Sequence, residues 1–188
     1  EEIAFILETA AQYLHKAPTR DDVLSVFVGI RPLVKSGDSK LTAALSRDHT
    51  IHIDASGLLT TTGGKWTTYR HMAEDTVNQA ADLARLPERP CVTKTLNVHG
   101  FHSAPEKFEA LGVYGSDAPA IRALADSDPE LGRRLDEELP YLAAEVVWAA
   151  RMEMARTVED VLSRRTRALV LNTAAAVRMA PVAARLLA

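Results

Sequence analysis

The sequence holds a single cysteine, Cys91, in 188 residues, which excludes an internal disulfide and fits a reducing compartment. No apolar run is long enough to cross a bilayer, and the first residues have neither a basic start nor a cleavage pattern. Surplus charge is small: 25% of residues are charged and the formal net charge is −3, so the totals make no electrostatic case for a nucleic-acid partner or an anionic membrane. Two phosphate-binding signatures are also missing. The turn Gly63-Gly64-Lys65 lacks the spaced first glycine of a Walker loop and the G-x-G-x-x-G of a dinucleotide fold. The chain opens on Glu1 rather than methionine, and reads as a processed protein or a piece of a longer one.

Hydrophobic residues make up 47% of the chain, enough for one good domain or two small ones. Ile3, Ile6, Leu7, Ala10, Tyr13 and Leu14 lie at helical spacing, predicting an amphipathic helix from Glu1 to Lys16 that Pro18 stops. The run from Val23 to Leu33 is apolar and β-branched and reads as a strand buried on both faces. Arg31, at its end, then needs an anionic partner or a water-filled cleft, the plain alternative being a salt bridge to a nearby carboxylate. Residues 34–45 read as a loop. From Ser46 to Asp54 the alternation predicts a strand with His49 and His52 on opposite faces, and Ala55-Ser56-Gly57 turns it into a second strand ending at Gly63.

The glycine turn joins that strand to a helix from Thr68 to Leu86 whose stripe is Met72, Ala73, Val77, Ala80, Ala81 and Ala84. Paired glycines let backbone pass close to a flat ligand, and the start of the helix carries the positive end of its dipole beside Lys65. The plain alternative is an ordinary strand-to-helix turn with a solvated lysine. Leu86 to Pro90 has the composition of a linker, placing the domain boundary there. His99 and His102 flank Gly100, which argues for a loop, and no metal site is expected.

Beyond Ala104 the sequence predicts helices only: Pro105–Tyr114, Ala118–Asp126, Pro129–Glu138, Tyr141–Ala155, Val158–Val170 and Thr173–Leu187. Thr157 and Asp160 form a capping-box pattern. Residues 117–146 carry eight acids against three bases, whereas 151–188 carry seven arginines against three acids, which opposed faces on neighbouring helices would explain without any partner. Arg164-Arg165-Thr166-Arg167 reads as an ion-pairing face, with Arg164 and Arg167 aligned, rather than a groove-reading helix. Trp148 and Met152 read as core.

Together, Gly29-Ile30-Arg31-Pro32-Leu33, Ser46-Arg47-Asp48-His49, the stretch from Gly63 to Arg70, and the late block from Ala144-Glu145-Val146 to Arg167 resemble the FAD-dependent, quinone-linked glycerol-3-phosphate dehydrogenases, and specifically their C-terminal part. The resemblance implies an α+β chain: residues 1–88 as a short strand-containing remnant of the FAD and substrate domain, and 89–188 as an all-helical C-terminal cap domain. It implies that Arg31 lies beside the flavin and orients the substrate, that Arg47 and Lys65 reach its phosphate, and that Gly63, Gly64, Lys65, Trp66 and Thr67 line the flavin. Two or three cations suit a phosphate dianion.

The activity so implied is oxidation of sn-glycerol 3-phosphate to dihydroxyacetone phosphate, with FAD bound by the full-length protein and a quinone as acceptor. The base implied lies upstream, with His49 a local alternative. Position 66 is tryptophan where the motif commonly has an aliphatic residue. A homo-oligomer, a cytoplasmic location and peripheral contact at the inner face of the cell membrane belong to the same expectation. Two alternatives share the motifs: a helical interaction module without catalysis, and a glycerol-3-phosphate oxidase.

Overall fold

The computed structural model describes residues 1–30 and 48–188. The chain divides into two compact units, one formed by residues 1–28 with 98–188 and the other by 29–97.

In the first unit α1 (Glu2–Ala11) is a single amphipathic helix, shorter than the apolar stripe suggests. The run after it departs from expectation. Over residues 23–30 there is no strand, and Val28 and Ile30 are 89% and 99% exposed. A strand buried on both faces needs neighbours for its N–H and C=O groups, and no described strand runs beside this one. Its ties are to the helices instead: the Thr173 N–H donates to the Leu24 carbonyl at 3.1 Å, and the Ser25 hydroxyl donates to the Leu169 carbonyl at 2.8 Å.

The core of this unit lies among α3 (Ala118–Ser127), α4 (Ala143–Met152), α5 (Ala168–Leu171) and α6 (Thr173–Leu187), with Ile121, Val146, Val161 and Met179 fully buried. The late half is not wholly helical. Where a helix was expected over Pro129–Glu138, β3 (Arg134–Asp136) and β4 (Leu139–Leu142) form an antiparallel hairpin. The turn wins because Asp136 accepts the Glu138 N–H at 3.0 Å, the Arg134 guanidinium holds the Leu139 carbonyl at 2.8 Å, and Pro140 has no N–H for a helical ladder. Arg178 on α6 clamps the hairpin through Asp136 at 2.7 Å and Glu138 at 2.7 Å. The opposed acidic and basic segments therefore neutralise each other here.

Other helices are modified rather than absent. Pro105–Asp117 is a chain of 3-10 turns broken at Glu109 and Gly115, both at φ 52°. Asp160–Arg165 is a π-helical turn and Arg167 is left-handed at φ 58°, so Arg164 and Arg167 do not share an α-helical face. Arg164 pairs with Glu159 and Asp160 at 2.6 and 3.0 Å, and Arg165 pairs with the Glu153 carboxylate at 3.8 Å, an ion-pairing surface as expected. The Thr157/Asp160 capping box is present in both directions, at 3.0 and 3.1 Å. Trp148 packs on the core, but Met152 is exposed because α4 ends there. His99 meets the Asp117 carboxylate at 2.7 Å.

Glu145 is the most buried acid described, 2% exposed. The Tyr114 hydroxyl donates to it at 2.9 Å and the Leu142 N–H at 2.6 Å. Burial pushes its carboxyl above the usual range despite those two donors. The same burial and that carboxylate raise the Tyr114 hydroxyl.

Candidate functional site

Residues 29–97 carry the glycine turn. β1 (His49–Ile53) and β2 (Leu59–Gly63) pair antiparallel with His49 opposite Gly63. The hairpin closes because Asp54 accepts the Ser56 N–H at 2.7 Å and its hydroxyl at 2.6 Å, bonds that hold the Asp54 carboxyl below its usual range. At the other end Gly63 and Gly64 have φ of 81° and 75°, the left-handed region that favours glycine. The strand there breaks into a 3-10 turn, Trp66–Thr68, and then α2 (Tyr69–Leu83). The Thr68 hydroxyl donates to the Lys65 carbonyl at 3.0 Å.

The turn packs closely against its own unit. A Cβ on Gly64 would run into Met72 Sδ, and would lie 2.8 Å from Met72 Cε and 3.3 Å from His49 Cβ. Thr61 on β2 and Thr76 on α2 share a hydroxyl bond of 2.8 Å, and Thr76 also donates to the Met72 carbonyl at 2.6 Å. These contacts fix the start of α2 against the hairpin.

Lys65 stands in a cleft of about 240 Å³ lined with Asp48, His49, Thr68 and His71. Behind it, Asp75 joins two imidazoles: His49 Nε2 lies 2.9 Å and His71 Nε2 3.5 Å from the same carboxylate oxygen. The two rings meet edge to face at 5.7 Å. In the first turn of α2, Arg70 donates to Glu74 at 2.7 Å, which raises the guanidinium and lowers the carboxyl. Arg70 also reaches the Thr93 hydroxyl at 3.2 Å, tying residues 91–94 to α2.

Of the residues expected in the site, Gly63, Gly64, Lys65, Trp66 and Thr67 form one continuous turn, with the last three exposed. Trp66 stacks on Tyr69, ring centres 5.5 Å apart, and is 85% exposed. Arg31 and Arg47 lie outside the described residues, as does the loop expected over 34–45. No group of three or more His, Cys, Asp or Glu side chains among the described residues is arranged for a metal, and no described helix is long and apolar enough to cross a membrane.

Residues 63–188 match the C-terminal domain of alpha-glycerophosphate oxidase. The chain belongs to that family. The match begins at Gly63, so the glycine turn and residues 98–188 of the helical unit are inside the matched region. The chain is similar to a mitochondrial glycerol-3-phosphate dehydrogenase of Arabidopsis thaliana, 37% identical across 95% of this chain and 33% of that protein. The same enzyme of Rattus norvegicus is 38% identical across 96% of this chain and 28% of its own length. Among solved structures it is similar to the glycerol-3-phosphate dehydrogenase of Bacillus halodurans complexed with FAD. That match has TM-score 0.70 and 27% identity over 99% of this chain and 40% of the other. This chain thus spans about a third of the curated relatives it matches.

Asp75 escaped the sequence reading. Its spacing of four from His71 on a helix was a usable signal, but its bond to His49, from another element, was not.

Proposed function

We propose that this chain is the C-terminal part of a flavoprotein that oxidises sn-glycerol 3-phosphate to dihydroxyacetone phosphate. The observation that carries the reading is the likeness over 99% of the chain to a glycerol-3-phosphate dehydrogenase complexed with FAD. The turn fits the role: Lys65 and the head of α2 offer positive potential beside the break at Gly63 and Gly64. A flat ring with an anionic edge suits such a surface.

In this reading Arg31 orients the glycerol hydroxyls, Arg47 and Lys65 bind the phosphate, and the backbone from Gly63 to Thr67 lies along the cofactor edge. FAD, when bound, would supply the acceptor for the hydride of C2, with a quinone as the onward electron acceptor, while the hydroxyl proton would pass to the base on the upstream segment. The chain's own share is orientation and charge: cations fix the phosphate, and the fixed phosphate sets C2 at one distance from its acceptor. Residues 1–88 serve the cofactor and substrate side, and 89–188 the cap. The intact protein works as a homo-oligomer in the cytoplasm, in peripheral contact with the inner face of the cell membrane.

The test is an FAD titration of this chain alone and of the chain co-folded with the upstream segment, followed by flavin fluorescence and anaerobic bleaching with glycerol 3-phosphate. Binding and bleaching with the upstream segment are expected; neither in any form overturns the proposal. A second reading, oxidase, draws on the description of the matched family, and hydrogen peroxide formed in step with substrate consumed would favour it.

A further inference from the structure

The carboxylate of Asp75 is shared by His49 on β1 and His71 on α2, yet it does not line the cleft in which Lys65 stands. His49 is the link. Its side chain is 17% exposed, its strand position is opposite Gly63, and its Cβ lies where a methyl on Gly64 would press at 3.3 Å. A carboxylate oxygen accepts, so Nε2–H of His49 donates to Asp75. The bond holds the imidazole between the start of α2 and the glycine turn. His71, 61% exposed, takes the longer contact on the cleft side.

We propose that Asp75 is a positioning residue: through His49 it braces the Gly64–Lys65 peptide and so fixes the Lys65 ammonium toward the phosphate of the substrate. The proposal rests on the glycerol 3-phosphate reading for its substrate, but the bracing itself does not. The groups facing His49 are Asp75 and His71 from α2, Lys65 and Thr68 from the turn, and Asp48 from the head of β1. Asp75 joins β1 to α2 by a short polar bond. Removing its oxygens frees the ring and lets the turn shift, whereas an amide keeps one acceptor for the same N–H.

The experiment uses the intact protein in two readouts. Hydrogen exchange of peptides covering residues 62–68 should be at least fivefold faster in Asp75→Ala and near wild type in Asp75→Asn. In turnover of glycerol 3-phosphate, Asp75→Ala should raise KM about tenfold with kcat within twofold. In a Lys65→Met background the same change should raise KM less than twofold, because the residue it positions is gone. Equal KM effects in both backgrounds, or unchanged exchange at 62–68, overturn the proposal. If Asp75→Ala does not fold, His49→Phe, which keeps the Cβ beside Gly64 and loses the bond, is read by hydrogen exchange alone: exchange over 62–68 at least fivefold faster supports the bracing, and unchanged exchange overturns it. A wild-type protein inert toward glycerol 3-phosphate, with exchange still raised by Asp75→Ala, defeats the substrate reading and leaves the bracing standing.

Discussion

Gly64→Ala is the sharpest single perturbation of the turn, because two separable costs meet at one methyl group. The first is backbone: Gly64 sits at φ 75°, where an L-residue costs about 1–2 kcal/mol. The second is steric. The methyl would displace the Met72 thioether, whose Cε would lie 2.8 Å away. Since methionine is flexible, this belongs at the low end for overpacking, about 1 kcal/mol. The sum is about 2–3 kcal/mol. Gly57 isolates the first term, having φ 86° with nothing within 4 Å of an added Cβ. Gly57→Ala should therefore cost about 1–2 kcal/mol. Urea unfolding of the intact protein, with hydrogen exchange resolving peptides from β1, β2 and α2, measures both. In a Met72→Ala background the Gly64→Ala cost should fall toward that of Gly57→Ala, leaving only the 3.3 Å approach to His49 Cβ. Equal losses for Gly64→Ala and Gly57→Ala in the wild-type background, or a Gly64→Ala cost unchanged by Met72→Ala, would refute the close approach.

Lys65→Ala should raise KM for glycerol 3-phosphate at least tenfold in steady-state assays, while flavin absorbance shows that cofactor is retained. Glu145 has its carboxyl raised by burial above the ordinary 4.5, so the native state binds the extra proton and stability falls as pH climbs from 4.5 through the folded value. Glu145→Gln keeps partners for Tyr114 and the Leu142 N–H, and its urea midpoint should be flatter over that range. Glu145→Ala orphans both and should cost about 1–3 kcal/mol at any pH. Asp160 runs the other way: backbone bonds from Arg156 and Thr157 lower its carboxyl from 3.8 to about 2, so its stabilisation is full above 3.8 and lost as pH falls through about 2. Asp160→Asn should be less stable at neutral pH than wild type and should show a shallower acid limb in thermal melts.

By itself the sequence determined whatever depends on near neighbours in the chain. Asp54-Ala55-Ser56-Gly57 carries its own turn chemistry, the two glycines before Lys65 specify a left-handed break, and Thr157 with Asp160 caps its own turn. Each of those bonds spans four residues or fewer, so local pattern reaches it, and the short motifs sufficed for the family. Tertiary structure decided the rest. The Pro129–Glu138 stretch has helical composition, but Arg178, some forty positions away, clamps Asp136 and Glu138 as a hairpin. Residues 23–30 have strand composition and no described strand to pair with. Asp75 is one more helix acid until folding brings it 2.9 Å from His49, twenty-six residues earlier. A hydrogen bond depends on distance through space, and one sequence records distance only along the chain.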